Sequence, residues 1–263
     1  VAYFRVPEPL PMSAHWQWAI ERSVSLSDHG HFTFLTDRMI LRPRAIRRLA
    51  EIQTVYPTDV VSYNHDRVDD FRYPVRLQLG PWTGRLLELD ASNLLRLASR
   101  GEFPAALPRM LNCVVPRTVL DEVASQFGTV FGSISPDFCF AFRCLAVVDR
   151  IYYLDEALLI HYAADKSNGA NMARGTQSAD RLDFSAQLGP THAWAVPEPR
   201  LETLTNACAH EYSIVRAECG SPKFPAIDIA AYLDANERDV MAIQNPELFG
   251  AMRSIMASHG RTM

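Results

Sequence analysis

Between His31 and Tyr63 the hydrophobic period of the chain changes twice, and this alternation constrains the fold more than any other feature. HFTFL (31–35) alternates and is rich in β-formers, so it reads as a strand closed by Thr36-Asp37-Arg38. Pro43 suits the first turn of a helix over 43–53, with Ile46, Leu49 and Ile52 on one face. Val60–Tyr63 is a second apolar strand, followed by a polar loop, Asn64-His65-Asp66. Strand, helix and strand in such close succession predict an α/β sheet rather than an all-α or all-β fold.

The flanking segments extend the pattern. Residues 1–6 read as a short strand broken by Pro7-Glu8-Pro9, and 13–25 as a helix with Trp16, Ala19, Ile20 and Val24 at helical spacing. A weak strand signal at 75–79 precedes a helix over 91–100. A further helix, 117–127, stops at Gly128, and another, 136–148, opens on Pro136 with Asp137 in its first turn. Residues 151–160 read as strand, turn at Asp155-Glu156, and strand. After Gly189 the texture changes: Pro197 and Pro199 mark a linker, and 201–219 and 226–258 read as helical. The expected organisation is one α/β domain over 1–189 and a helical C-terminal extension over 190–263.

Composition narrows the function classes. The 263 residues can bury a substantial core, and 48 % apolar with 21 % charged residues is ordinary for a globular protein. A net charge of −4 argues against a nucleic-acid partner. The basic cluster Arg42, Arg44, Arg47 and Arg48 sits at a helix start and reads as a solvated face. No apolar run reaches transmembrane length, and no signal peptide is expected. Five scattered cysteines form neither a CxxC pair nor a Cys/His cluster, which suits a reduced, cytoplasmic setting. The chain opens at Val1 in a strand-like run without an initiator Met, so a fragment of a longer protein is expected.

A few residues stand out for chemistry. Asp37 follows a strand, where ligands of open α/β sheets collect; it could hold a divalent cation or cap the next helix. Asp137, in the first turn of a helix, would be favoured in its ionised form and able to accept a proton, although acids are common there without catalytic meaning. His161 ends an apolar strand and reads as a metal ligand or as a hydrogen-bonded structural residue. The Ser167-Asn168-Gly169 turn could offer N–H groups to an anion or be a plain surface turn. Trp16 reads as core or as a face for a sugar or nucleotide. No GxSxG, Gly-rich phosphate loop or GxGxxG occurs.

Taken as an ordered set, these segments resemble a family 2 glycosyltransferase of the GT-A fold. YFRVPEPLPMSAHWQWAIERS resembles the family segment in which a helix bearing an Asn-Trp-like pair, here His15-Trp16, follows a short strand. HFTFLTDRMILRPRAI resembles the strand delivering the Asp-x-Asp metal motif; only Asp37 matches, and Arg38 stands beside it. SISPDFCFAFRCL resembles the acceptor-side motif, with Asp137 at the position of the catalytic base. YYLDEALLIHYAADKSNG resembles the segment whose histidine, here His161, completes the metal or diphosphate site. The likeness covers roughly 1–170, and the family's opening nucleobase-binding strands have no counterpart after Val1.

The resemblance implies a GT-A-like (Rossmann-like) mixed sheet flanked by helices, and a hexosyltransferase-type enzyme using a nucleotide-sugar donor and a glycan or other hydroxyl acceptor. It further implies inversion with Asp137 as base and a divalent cation, Mn²⁺ or Mg²⁺, at Asp37 and His161. Donor contacts would come from Asp37, Arg38, Trp16, Ser167 and Asn168. No nucleic acid and no transmembrane segment are expected, while peripheral membrane association stays open. The alternative is a catalytically inactive relative that binds a glycan or a protein.

Overall fold

The computed structural model describes residues 3–25, 30–70, 73–132, 134–163, 166–175, 194–199 and 201–263. Seven strands form a mixed sheet in the order β1-β6-β3-β7-β2, with β4 joined to β3 and β5 to β7. They are β1 (His31–Phe32), β2 (Met39–Leu41), β3 (Val61–Asp69), β4 (Arg76–Gln78), β5 (Leu86–Asp90), β6 (Cys113–Pro116) and β7 (Arg150–His161). The parallel pair β3–β7 forms the spine, and every other pairing is antiparallel. On its far side β7 pairs with β5 through Arg150–Leu154 and with β2 through Leu159–His161.

The helices are α1 (Met12–Ser25), α2 (Ala45–Val55), α3 (Ala91–Ala98), α4 (Arg117–Phe127), α5 (Pro136–Val147), α6 (Asn168–Arg174), α7 (Leu204–Cys219), α8 (Ile229–Ile243) and α9 (Pro246–Ser258). An α/β sheet flanked by helices, with further helices at the C-terminus, is what the sequence pattern anticipates. Local chemistry sets the boundaries. Asp90, Ser167, Thr203, Asp228 and Asn245 each cap a helix by accepting a backbone N–H beyond them. Pro136 takes the first position of α5, where a missing N–H does no harm, and α4 ends at Gly128 with φ 75°.

The main core lies between the sheet and α3, α4, α5 and α7. Phe140, Phe142, Cys144 and Leu145 of α5 are fully buried in it, beside Tyr212 and Val215 of α7. A smaller core on the other face joins Ala45, Leu49 and Ile52 of α2 to Val61, Tyr63, Leu154 and Leu159. The C-terminal helices add their own cluster around Tyr232, Leu233, Met252 and Ile255. The expected domain boundary near 189/190 lies outside the described residues.

Several sequence expectations change in the folded chain. Residues 3–6 form no strand, and Tyr3 and Phe4 are exposed; Val1 and Ala2 lie outside the described residues. HFTFL pairs only at His31 and Phe32, after which the Phe34 N–H leaves the ladder for the carbonyl of Met110. Ile46, expected on the buried face of α2, points to solvent. The polar Asn64-His65-Asp66 is not a loop but the middle of β3. Its polar atoms are met inside: Asn64 donates to Tyr153 and Asp155, while Asp66 accepts from Gly80 and Trp82 and pairs with Arg42 at 2.6 Å. The turn signal at Asp155-Glu156 is a bulge in one continuous strand. Tyr63 faces Leu154 and Asn64 faces Ala157, so residues 155 and 156 are the excess.

Candidate functional site

The carboxyl ends of the parallel strands β3 and β7 open into a cavity of about 430 Å³, at the edge where α/β sheets collect ligands. In register, Arg67 faces His161 and His65 faces Leu159. Because side chains alternate along a strand, His65, Arg67 and His161 share one face, and all three line the cavity. Arg109, just before a 3₁₀ turn at Met110–Asn112, and Asp137, in the first turn of α5, form another wall. Arg38 comes from the turn before β2, Trp16 from α1, Lys166, Ser167 and Asn168 from the start of α6, and Leu204 and Ala207 from α7.

The structure therefore brings together Trp16, Arg38, Asp137, His161, Ser167 and Asn168 from segments far apart in sequence. Asp37 is not among them. Its carboxylate is 93 % exposed, 3.9 Å from the Arg38 Nε, and its backbone carbonyl accepts the Tyr162 hydroxyl. The Ser167-Asn168-Gly169 segment is the N-terminal cap of α6: the Ser167 hydroxyl accepts the Ala170 N–H at 3.4 Å. Trp16 stacks on Phe34 at 5.6 Å and meets Phe131 edge-on at 5.4 Å, so its ring is both cavity wall and core.

Burial and neighbouring charge set the protonation of the site. Burial lifts Asp137 above the ordinary carboxylate value, against the opposing pull of the Arg109 guanidinium and of the backbone N–H groups of Phe138 and Asp137. The helix start does favour the anion, as the sequence implies, but desolvation is the larger effect. Burial, then Arg109, His161 and Arg67, hold His65 down to about 4. Burial, Arg38 and Arg109 lower His161 as well, with Asp70 pulling the other way. The two rings meet edge to face at 5.8 Å and are neutral at neutral pH. Among the described lining residues the charged groups are then Arg38, Arg67, Arg109 and Lys166 against the single carboxyl group of Asp137.

This donor set does not suit a divalent cation. Mg²⁺ and Mn²⁺ favour convergent oxygen ligands, commonly one or two carboxylates. Asp37 points away, Asp137 lies near Arg109, and His161 lies near Arg38 and Arg109. Among the described residues no group of three His, Cys, Asp or Glu side chains converges.

Part of the lining has a different character. Met12, Trp16, Leu111, Phe138, Met172 and Leu204 give the cavity an apolar surface, and the Arg109 guanidinium lies 5.3 Å over the Phe138 ring. Behind Asp137, Glu211 of α7 is fully buried; its Oε1 accepts the N–H groups of Ile134 at 3.0 Å and Ser135 at 2.7 Å. Leu204, Ala207 and Glu211 recur at helical spacing, so one face of α7 both lines the cavity and holds the loop into α5.

His65, Arg67, Arg109, Lys166 and Glu211 are the residues the sequence did not single out. For His65 and Arg67 a signal existed: extending the Val60 strand would have put them on one face. Arg109 and Glu211 carry no local signal, because their neighbours are remote in sequence.

No family model and no curated protein sequence matches this chain. Among solved structures it is similar to residues 1–349 of TarS from S. aureus, in complex with UDP-GlcNAc, with a TM-score of 0.40 and 12 % identity. The match covers 89 % of this chain and spans 63 % of the TarS chain. Among the described residues no helix is long and apolar enough to cross a membrane.

Proposed function

We propose that this cavity is the site of a GT-A-type glycosyltransferase that moves a sugar from a nucleotide-sugar donor to an acceptor hydroxyl. The observation that carries the reading is the placement of Asp137. Among the described residues it is the only carboxylate lining a cavity otherwise charged by Arg38, Arg67, Arg109 and Lys166, at the carboxyl ends of the parallel strands. A base needs a proton affinity nearer the working pH than a free carboxylate has, and burial moves Asp137 in that direction. A reaction that expels a diphosphate needs positive charge where the leaving group accumulates negative charge, and the cationic wall supplies it.

In this mechanism Asp137 takes the proton of the acceptor hydroxyl. The oxygen attacks the anomeric carbon, the bond to the diphosphate breaks, and the nucleoside diphosphate leaves with the bonding electrons. A single displacement of this kind inverts the anomeric centre. Trp16 and the neighbouring apolar side chains offer a face for a sugar ring or a base. The likeness of the segments to family 2 glycosyltransferases supports the same reading. The exposed carboxylate of Asp37 favours a second one, a relative that binds a glycan or protein without catalysis.

The test is nucleoside-diphosphate release from a panel of nucleotide-sugars by the full-length protein, with Asp137→Asn alongside. Loss of turnover by about a hundredfold or more is expected for removal of a general base. Unchanged turnover in the variant would sink the assignment, and glycan binding with no nucleotide affinity would favour the second reading.

A further inference from the structure

The cavity concentrates positive charge in an acidic protein. Arg38, Arg67, Arg109 and Lys166 line it, although the chain carries a net charge of −4. Two of these side chains have donors that the protein leaves unmet: Arg38 Nη1 and Arg109 Nε are buried without a hydrogen-bond partner. Buried N–H donors are almost always satisfied, because an unmet one forfeits its hydration. Two unmet guanidinium donors on residues that line one cavity therefore call for an anionic acceptor. Asp37 does not supply it, since its carboxylate is exposed and 3.9 Å from the Arg38 Nε. Arg67 is steadied by its Nε, which donates to Gln78 at 2.7 Å.

The same cavity lining carries unmet acceptors. Asn112 Oδ1 and Asn168 Oδ1 are buried and unpartnered, while the Asn112 Nδ2 is tied to the carbonyls of Tyr63 and Ala105. Such acceptors suit hydroxyl groups, and guanidinium forks suit phosphate oxygens. A ligand joining a phosphate group to a hydroxyl-bearing ring meets both needs.

We propose that Arg38, Arg67, Arg109 and Lys166 grip the diphosphate of the donor directly, taking the place of a bridging divalent cation. A cation bound here would stand among these four positive side chains, with Asp137 as the one carboxylate among the described lining residues to offset them. Direct charge-assisted bonds from planar guanidinium groups satisfy the same phosphate charge and use the donors that are otherwise idle. The proposal rests on the glycosyltransferase reading only for what the diphosphate is attached to.

Calorimetry of the intact chain with inorganic pyrophosphate in excess EDTA tests it. Binding is expected without any metal, to weaken steeply with added salt, and to fall about tenfold in Arg67→Gln and in Lys166→Gln, roughly one charge-assisted hydrogen bond each. Both side chains are exposed, so these variants keep the fold even if Arg109→Gln, which loses the contact over Phe138, does not. Pyrophosphate binding that appears only with Mn²⁺ or Mg²⁺, or that is untouched in both variants, would overturn the proposal. Metal-free binding without sugar transfer from any nucleotide-sugar would leave the grip standing and remove the transferase reading. Sugar transfer abolished by EDTA would do the reverse.

Discussion

Replacing Glu211 by alanine should detach the loop that carries Asp137 from the helix behind it. Glu211 sits on α7 with no solvent exposure, and its Oε1 accepts two backbone N–H groups, from Ile134 at 3.0 Å and Ser135 at 2.7 Å. Alanine leaves both amides without that acceptor where water has little access. A buried N–H left unmet costs about 1–3 kcal/mol, so the pair is worth about 2–5 kcal/mol once some relaxation is allowed. Glutamine keeps an oxygen in the same place and should lose about half as much or less. Urea unfolding of the intact variants at neutral pH reads the difference directly, provided the slope with urea is unchanged. The two amides immediately precede Pro136 and Asp137, whereas Arg38, Arg67 and Lys166 belong to other elements. A loosened loop should therefore lower kcat more than it raises KM. An alanine variant within about 1 kcal/mol of the parent, or a glutamine variant as damaged as alanine, would refute the role given to this carboxyl group.

Two further outcomes follow from the geometry. Unfolded, His65 takes up its proton at the ordinary pKa of 6.5, but in the fold it does so only at about 4, so the unfolded chain binds the extra proton between those values. Stability should therefore drop as pH falls from about 6.5 towards 4, by at most about 3 kcal/mol for this group, and His65→Gln should flatten that limb of the urea-stability profile. Parallel profiles for parent and variant would contradict it. Gly101 follows α3 with φ 74°, and a Cβ there would lie 2.8 Å from the Ala235 Cβ of α8. Gly101→Ala combines a left-handed backbone with that overlap and should lower stability by about 1–3 kcal/mol in thermal or urea melts. A neutral effect would mean that α8 does not press on this turn.

Much of the fold was legible because its signals are local. The helices α4 and α5 follow from hydrophobic spacing together with Gly128 and Pro136, which act through backbone geometry alone; α2 also follows from its spacing, but it starts at Ala45, after a left-handed Arg44, so Pro43 precedes the helix rather than opening its first turn. The strand–helix alternation likewise announces an α/β sheet. Polar residues inside strands defeated the pattern. Asn64 and Asp66 look like a loop until Tyr153, Asp155, Gly80, Trp82 and Arg42 arrive to satisfy them, and Asp155-Glu156 looks like a turn until β3 shows it to be a bulge. HFTFL forms a strand only over His31 and Phe32 for the converse reason, since its later β-forming residues have no strand beside them.

The candidate site divides along the same line. By itself the sequence determined which groups could do chemistry at a chain landmark: Asp137 at a helix start, His161 at a strand end, Ser167 and Asn168 at a cap. Only the tertiary structure decided which of them meet. It gathers Asp137, His161, Arg38 and Trp16 around one cavity and turns the Asp37 carboxylate to solvent. It adds Arg109 and Lys166 to the wall and sets Glu211 behind the Asp137 loop. The reason is physical. A helix cap or a strand end is fixed by neighbours a few residues away, whereas the charge and dryness of a cavity depend on side chains that approach only when the sheet and α7 close around it.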